Sequence, residues 1–434
     1  MNNAKLNASK VLKLLFWAFT AAFLIGAFLA SDRSDMFAGL GRLLNYPAQV
    51  TKDSFLIGGV SGTFLNAALV GAVCCLLMCI PGFSANGTTA IAYLLTVGFC
   101  FWGMNILNIL PCMAGAFLYA AVRREKMSSA VNFAMFATGL APLVTEMFLR
   151  YPSPDTIHGY TAVSVCLGIF IGLLIGFLTA VGCGHAPNVH KGYSIYSAAL
   201  PIGMLGFLLR ALLYNTLGNT VPEIKAELSG GFPVICNTFC VVLFVLCAAA
   251  GFWLNGKSFR GYGKLLMDPC HKVDFSAKFS PALALMNVGF YGLIIMLYYN
   301  LIGATWTGVT IGVVFCMLAT GVSGSTPLNI IPIMIGYWLM SFPGATDINA
   351  QAIVVGLCFA SGLTPVVGQY GSIVGIFAGA LHYSLVTSVP AMHGGFVFYN
   401  GGFTCCLLCI VIIPILEKFL KSKSERLEAK AAKT

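Results

Sequence analysis

Long apolar runs alternate with short polar stretches along almost the whole chain. A run of about 18 or more apolar residues can cross a bilayer core of roughly 30 Å as a helix. Such runs occupy residues 11–30, 56–80, 130–149, 161–182, 194–214, 232–254, 280–301, 350–368, 372–388 and 396–416. Two further runs, 89–121 and 308–341, are interrupted near their middle by Gly, Asn and Pro. We therefore predict an all-α, polytopic transmembrane helix bundle in which these two runs form short segments or re-entrant hairpins.

The pattern of the first half recurs in the second half. Sliding the chain by 221 positions places residues 61–120 on residues 282–341 without a gap, and 14 of these 60 pairs are identical. Seven of the identities fall within the twelve positions 107–118. Weaker similarities continue in the same order in both directions. The sequence thus predicts two transmembrane repeats, 1–220 and 221–434, of about seven segments each.

Composition narrows the class of protein. The chain of 434 residues is 58% hydrophobic and 9% charged, with a mean hydropathy of +0.88, so charged residues are too few to cover a soluble surface. Many basic residues behind the net charge of +10 lie in loops and at the chain ends, where topology signals belong. The 16 cysteines lie mostly in apolar runs without zinc-like His/Cys spacing. We expect no metal, no other cofactor and no nucleic-acid partner.

Loop charges predict how the repeats are oriented. An odd number of segments in the first repeat would make the second repeat enter the membrane upside down. The loop 121–129 carries Arg123, Arg124 and Lys126, whereas its counterpart 342–350 has no Lys or Arg. Because basic loops face the cytoplasm, this switch of bias predicts two inverted repeats with both termini in the cytoplasm.

The two interrupted runs share one motif, which we expect to line a substrate site. Residues 105–115 read NILNILPCMAG and residues 326–336 read TPLNIIPIMIG. Interrupted segments at matching positions of inverted repeats point to the binding site of a transporter. The expected substrate-binding residues are Asn105, Asn108, Pro111, Ser323, Ser325, Thr326, Asn329 and Pro332. The alternative is helix packing, in which Asn and Ser join membrane helices without touching a solute.

Two other repeated motifs are candidates for gating or coupling. GLAP at 139–142 and GLTP at 362–365 each precede a polar residue by four positions, and PxxHxG[YF]xxY occurs at 187–196 and 390–399. The expected gating or coupling residues are Glu146, Gln369, His190, His393, Tyr196 and Tyr399. Helix kinks, an interfacial ion pair between Glu146 and Arg150, and interfacial aromatic anchoring are the structural alternatives.

These motifs and their duplication resemble a family of bacterial membrane proteins, DUF1576, whose domain can occur twice in a chain. The resemblance covers most of the sequence and implies a bacterial cytoplasmic membrane, but it implies no activity, substrate or catalytic residue. The inverted duplication with a paired LNI[LI]P element is also similar in broad plan to urea-channel-like proteins.

The leading functional prediction is a transporter or channel for a small solute. Charge is scarce within the apolar runs, which favours a neutral or zwitterionic solute, and we expect no enzymatic activity. The alternative is a membrane redox subunit carrying a flavin, because GAT at 303–305 and 344–346 resembles the end of a flavin-attachment signal, DxxSGAT. A lipid-directed enzyme would need a catalytic constellation, and we find none in the sequence. The expected partners are the solute and the lipid bilayer, and the sequence leaves homo-oligomer formation open.

Overall fold

The computed structural model describes residues 7–47, 52–224, 226–343 and 346–432, and these residues fold into helices. The first half contains α1 (Ala8–Leu29), α2 (Met36–Leu44), α3 (Ser54–Leu77), α4 (Gly87–Phe99), α5 (Ile106–Val122), α6 (Met127–Ala137), α7 (Ala141–Leu149), α8 (Ala162–Cys183), α9 (Ala186–Val189) and α10 (Ala199–Arg210). The second half contains α11 (Pro233–Leu254), α12 (Tyr262–Leu266), α13 (Phe275–Lys278), α14 (Pro281–Leu301), α15 (Gly308–Leu318), α16 (Pro327–Ser341), α17 (Gln351–Ala360), α18 (Thr364–Tyr370), α19 (Ser372–Val386), α20 (Val389–Met392), α21 (Asn400–Phe419) and α22 (Lys423–Ala431). Within the described ranges, extended pairing is limited to one isolated bridge, between Lys52 and Glu227. The prediction of an all-α bundle is confirmed.

The helices divide into long and short apolar segments. Nine stretches of the described residues are long and apolar enough to cross a membrane. Five apolar helical segments of 10–17 residues accompany them, and four of these, built on α4, α5, α15 and α16, fall in the two interrupted runs. The chain is therefore a multi-pass membrane protein with broken helices, as the apolar pattern predicts.

The GLAP and GLTP motifs each join two helices into one long apolar stretch. A short 3-10 turn links α6 to α7 at Thr138–Leu140 and links α17 to α18 at Ser361–Leu363. Pro142 and Pro365 stand in the first turn of α7 and α18, where the missing N–H of proline removes no helical hydrogen bond. In each motif the proline thus lies at the start of the second helix and does not interrupt the middle of a helix.

The loops gather at two ends of the bundle, which we name by what they hold. The terminal face holds the start of α1 and the tail that follows α21. Its contacts include Ser9 with Ala85, 2.9 Å between Oγ and N, and Gln369 with Ser424 in the tail, 2.9 Å between Nε2 and Oγ. The linker face holds the segment 217–232 that joins the halves. There Phe232 N–H donates to the carbonyl of Trp306 at 2.5 Å.

The short helices pair as two hairpins that enter from different ends. The first hairpin is α4 and α5; both of its ends lie at the terminal face, where Gly82 faces Ser128. The second hairpin is α15 and α16; both of its ends lie at the linker face, where Asn349 Nδ2 lies 3.5 Å from the carbonyl of Gly303. Each hairpin tip reaches toward the opposite end, since Phe101 of the first tip accepts a hydrogen bond from Ser54 N–H at the linker face (3.1 Å).

The two hairpins meet along α4 and α15 in the centre of the bundle. Gly98 and Gly312 allow this approach, because a Cβ on Gly98 would lie 2.8 Å from the carbonyl oxygen of Gly312. Leu95 and Cys316, which are 221 positions apart, contact each other here, with 3.8 Å between the carbonyl oxygen of Leu95 and Sγ of Cys316. Contact between equivalent residues is typical of an axis that relates two similar units.

Candidate functional site

The LNI[LI]P motif builds the start of the second arm of each hairpin. The side chain of Asn105 caps α5 by accepting from the N–H groups of Leu107 and Asn108, both at 3.0 Å. Oδ1 of Asn108 in turn accepts from Asn105 N–H at 2.9 Å, which completes a capping box. Thr326 and Asn329 form the same capping box at the start of α16.

The second asparagine of the first motif, Asn108, and its equivalent Asn329 also hold the hairpin tips. Nδ2 of Asn108 donates to the carbonyl of Gly103 at 3.0 Å and to Oγ1 of Thr145 at 2.8 Å. Nδ2 of Asn329 donates to the carbonyl of Gly324 at 2.7 Å. Gly103 and Gly324 have φ angles of 120° and 130°, which only glycine adopts readily. In this conformation the asparagine side chains thus bind the turn, and their contact with a solute stays a prediction.

The prolines of the motif do not mark the breaks. Pro111 and Pro332 lie inside α5 and α16, and both helices continue through them. The chain breaks earlier, between α4 and α5 and between α15 and α16. A Cβ on Gly172 of α8 would lie 2.3 Å from Cβ of Pro111, so the proline ring packs against a glycine of the neighbouring helix.

Two further asparagines brace the hairpin tips from α3 and α14. Nδ2 of Asn66 donates to the carbonyl of Met104 at 2.8 Å, and Nδ2 of Asn287 donates to the carbonyl of Ser325 at 2.8 Å. Both pairs are related by the 221-residue shift. The duplication aligns Asn66 with Asn287. This identity is the sequence signal that the two asparagines support the same local structure in each half.

Each half closes on the other through an aspartate that was not predicted from the sequence. Asp53 Oδ1 accepts from Gly308 N–H at the start of α15 (3.0 Å), and Asp274 Oδ2 accepts from Gly87 N–H at the start of α4 (2.7 Å). All four residues obey the 221-residue shift, so the two contacts are reciprocal. We call them the aspartate clasps. A carboxylate at a helix N-terminus is stabilised by the helix dipole.

Asp53 makes further contacts that join the halves at the linker face. It accepts from the N–H and Oγ of Ser229, at 2.8 and 2.5 Å, and its side chain is completely buried. Burial raises the pKa of this carboxyl, while the hydrogen bonds from Ser229, Phe55 and Gly308 act in the other direction.

A cavity with polar side chains in its lining opens at the terminal face beside α4. This terminal-face pocket has a volume of about 350 Å³. Its lining includes Thr88, His190, Ser197, Lys272, Asp274 and Ser323. Of the expected site residues, the pocket brings together Ser323 and His190, while a cavity of only about 10 Å³ lies beside Asn105, room for about one water molecule.

A second cavity lies beside α15 at the linker face. This linker-face pocket has a volume of about 180 Å³ and is lined mainly by apolar groups. The PxxHxG[YF]xxY motif and the residues just after it line both pockets at equivalent positions: Pro187 and Pro390, Gly192 and Gly395, Ser197 and Asn400. Residues of the linker, among them Ile224 and Leu228, also line the linker-face pocket. These two pockets, one at each face, are thus built from the same duplicated sequence. A larger, mainly apolar cavity of about 610 Å³ lies beside α1 and the start of α11 near the linker face.

The histidines of this motif fix the pocket walls. Nε2 of His190 lies 2.9 Å from Oγ of Ser197, and Nδ1 of His393 lies 2.6 Å from Oδ1 of Asn400. Both histidines are buried. Burial lowers the pKa of His190 to about 4 and also lowers the pKa of His393. Both side chains are therefore neutral near pH 7.

The tyrosines of the motif reach across to the other half. A Cβ on Gly362 of the GLTP turn would lie 2.6 Å from Cδ2 of Tyr196, and a Cβ on Gly139 of the GLAP turn would lie 2.0 Å from Cε2 of Tyr399. Each GL[AT]P glycine thus makes room for the tyrosine ring of the opposite half. Two motifs that looked separate in the sequence form one contact in the fold.

Glu146 and Gln369 have different partners. Oε1 and Oε2 of Glu146 accept from Arg150 at 2.7–3.0 Å in an ion pair one helical turn apart. A gating or coupling role for Glu146 stays a prediction. Gln369 binds Ser424 and thereby holds α22 against α18 at the terminal face. Neither residue lines the two pockets.

The first of the two GAT sequences does not line either pocket. Thr305 of the first GAT is exposed in the turn before α15, and Gly344 and Ala345 of the second GAT lie outside the described residues. Among the residues that the structure describes, no three His, Cys, Asp or Glu side chains are grouped to hold a metal ion.

Comparison with protein families matches residues 32–215 and 254–418 to a family described as a protein of unknown function, DUF1576. The two matched stretches fall one in each half of the duplication. No curated protein and no solved structure matches the chain.

Proposed function

Because the chain belongs to the DUF1576 family, whose description states no activity, we propose a function from the site itself. We propose a membrane transporter or channel for a small neutral or zwitterionic solute. The observation that carries this proposal is the pair of equivalent pockets, one at each face, beside the first helix of each hairpin. A solute path needs access from both faces, and a duplicated protein can build both ends from one sequence.

Inversion of the two halves is part of the proposal. The hairpin α4–α5 has its ends at the terminal face and the hairpin α15–α16 has its ends at the linker face, which supports opposite orientations. The aspartate clasps support the same relation, since Asp53 and Asp274 make reciprocal contacts at different faces. The terminal face carries the basic loop with Arg123 and Arg124, so by the positive-inside rule we assign it to the cytoplasm together with both termini. A bacterial cytoplasmic membrane fits the family resemblance.

The lining of the terminal-face pocket supports the class of solute. Lys272 and Asp274 bring one charge of each sign to its rim, and Ser197 and Ser323 add hydroxyl groups. Such a lining suits a zwitterion or a neutral solute that hydrogen-bonds, and it offers no cluster of one charge for a multivalent ion. A volume of about 350 Å³ lies within the range of small-molecule sites.

A solute screen tests the proposal. Purified protein is heated with neutral and zwitterionic metabolites, and a compound that raises the unfolding temperature is then followed as a radiolabelled solute into proteoliposomes. Ser323→Trp, which fills the terminal-face pocket with the residue found at the equivalent position 102, should abolish the thermal shift and the uptake. Ser372→Trp, at an exposed site of the same face, should preserve both. Uptake that persists in Ser323→Trp would place the path elsewhere.

The same screen tests whether Asn108 and Asn329 bind the solute or only support the hairpin tips. If Asn108 and Asn329 hold the hairpin tips, Asn108→Ala and Asn329→Ala should lower the unfolding temperature while the shift caused by the solute remains. A lost shift in proteins that still fold would make the asparagines part of the binding site, as the sequence pattern predicted.

A further inference from the structure

Tyr196 crosses from the first half to the second half and binds it with its hydroxyl group. The hydroxyl donates to the carbonyl of Cys316 at 2.8 Å and lies 2.9 Å from Oγ of Ser361. Cys316 lies on α15 and Ser361 lies in the GLTP turn. The phenol of Tyr196 therefore bonds two parts of the second half, the first helix of its hairpin and the GLTP turn.

Tyr399 occupies the equivalent position in the second half without the equivalent bonds. Its hydroxyl is buried and has no hydrogen-bond partner within the described part of the chain. The duplication places Leu95 and Thr138 where Tyr196 has Cys316 and Ser361. Oγ1 of Thr138 donates to the carbonyl of Met135 at 2.6 Å, as Oγ of Ser361 does to the carbonyl of Cys358, and the carbonyl of Leu95 faces the thiol of Cys316.

The residues just before the two tyrosines make equivalent backbone hydrogen bonds, whereas the hydroxyl groups differ in their partners. Ile195 N–H donates to the carbonyl of Gly362 at 3.1 Å, and Phe398 N–H donates to the carbonyl of Gly139 at 3.0 Å. These two bonds are reciprocal under the duplication. One tyrosine is bonded, and its twin leaves a buried hydroxyl without a hydrogen bond, which is unfavourable in a protein interior.

The two equivalent pockets differ in volume, as the two equivalent tyrosines differ in hydrogen bonding. The terminal-face pocket has a volume of about 350 Å³, whereas the linker-face pocket has about 180 Å³ and is lined in part by the linker. The structure therefore combines the larger of the two equivalent pockets, at the terminal face, with a bonded Tyr196, and the smaller one, at the linker face, with an unbonded Tyr399.

We propose that Tyr196 and Tyr399 are alternating latches at the centre of the bundle. The bond of Tyr196 to Cys316 and Ser361 stabilises the conformation that is open at the terminal face. In the conformation open at the linker face, Tyr399 binds the carbonyl of Leu95 and Oγ1 of Thr138, and the hydroxyl of Tyr196 is released. This inference rests on the proposed function, since only a transporter that alternates between faces uses two such states.

Cysteine labelling at the two pockets tests the latches. Thr88 lines the terminal-face pocket and Val309, its equivalent 221 positions later, lines the linker-face pocket. Thr88→Cys and Val309→Cys are made in protein whose exposed Cys79 and Cys166 are replaced by serine. A polar maleimide then measures the labelling rate of each probe in proteoliposomes.

The two tyrosine variants should have opposite effects on the Val309→Cys probe. Tyr196→Phe weakens the state seen here, so labelling of Val309→Cys should become about fivefold faster, the shift expected from one lost hydrogen bond. Tyr399→Phe weakens the other state, so the same labelling should become about fivefold slower. Ser361→Ala should act like Tyr196→Phe, and Thr138→Val should act like Tyr399→Phe.

The outcomes separate the latches from the proposed function. Changes in the same direction in both tyrosine variants, or no change in either, would overturn the latches while Val309→Cys still reacts in the parent protein. A Val309→Cys probe that never reacts in folded parent protein would instead remove alternation between faces, on which the inference rests.

Discussion

The glycine crossing of α5 and α8 gives the sharpest prediction about stability. Gly176 of α8 faces the backbone of α5, and a Cβ at this position would lie 2.0 Å from the carbonyl oxygen of Cys112. Gly115 of α5 faces α8 in the same way, with a hypothetical Cβ 2.2 Å from the carbonyl oxygen of Leu173. The two helices therefore touch backbone to backbone, as small residues allow in membranes.

The magnitude follows from the distance. A carbon and a carbonyl oxygen pack at about 3.3 Å, so Gly176→Ala forces α8 away from α5 by roughly 1.3 Å. Overpacking of this kind costs about 1–3 kcal/mol, and we take the upper end because a backbone carbonyl cannot rotate out of the way. Alanine regains about 0.5–1 kcal/mol through its helix propensity. The net loss should be about 2 kcal/mol.

Reversible unfolding in mixed detergent and SDS measures this loss. Gly41→Ala is the matched control, because Gly41 lies in α2 and a Cβ there would meet nothing within 4 Å; it should be neutral or stabilise by about 0.5–1 kcal/mol. If Gly176→Ala unfolds at the same SDS fraction as Gly41→Ala, the helices do not cross at backbone contact and the reasoning is wrong.

Three further predictions follow from contacts described above. Because burial lowers the pKa of His190 from 6.5 to about 4, the unfolded chain binds more protons there and stability should fall as pH falls through that window; His190→Gln should flatten this slope in unfolding measured from pH 7 to 4. Tyr337→Phe should destabilise by about 1–2 kcal/mol in SDS unfolding, because its hydroxyl lies 2.6 Å from Nδ1 of buried His382; an unchanged stability would contradict that bond. Arg124→Cys and Asp347→Cys should react with an impermeant thiol reagent from opposite sides of intact cells, and labelling from one side would refute inversion.

The architecture was largely accessible from the sequence because hydropathy records which residues meet lipid and the duplication records which segments share a structure. The broken runs predicted the hairpins. The structure places the breaks at Gly103 and Gly324, eight residues before Pro111 and Pro332. Proline constrains a helix in any context, but a helix can continue through it in a membrane. The helix ends where Gly103 or Gly324 adopts a positive φ, and the sequence does not show which glycines have that conformation.

The roles of the polar residues were harder to predict. Asn108 bonds its own hairpin turn, and an asparagine that caps a helix has the same identity and spacing as one that contacts a solute. Asp53 and Asp274 were not predictable as contacts, because each lies in a loop outside the apolar runs. Their partners, Gly308 and Gly87, donate backbone groups, which carry no side-chain signature. Contacts of this kind become visible only when the halves are folded together.

The aspartate clasps also constrain how the protein is made. Asp53 is translated 255 residues before Gly308, its partner at the start of α15. At synthesis rates of about 5–20 residues per second, its carboxylate waits on the order of 13 to 50 s for that partner. When Gly308 is made, seven of the nine membrane-crossing stretches of the described residues have been translated, while Asp53 still lacks this partner. The membrane insertion machinery therefore has to protect an incompletely assembled bundle, and chains that stall before residue 308 should be good substrates for membrane quality-control proteases.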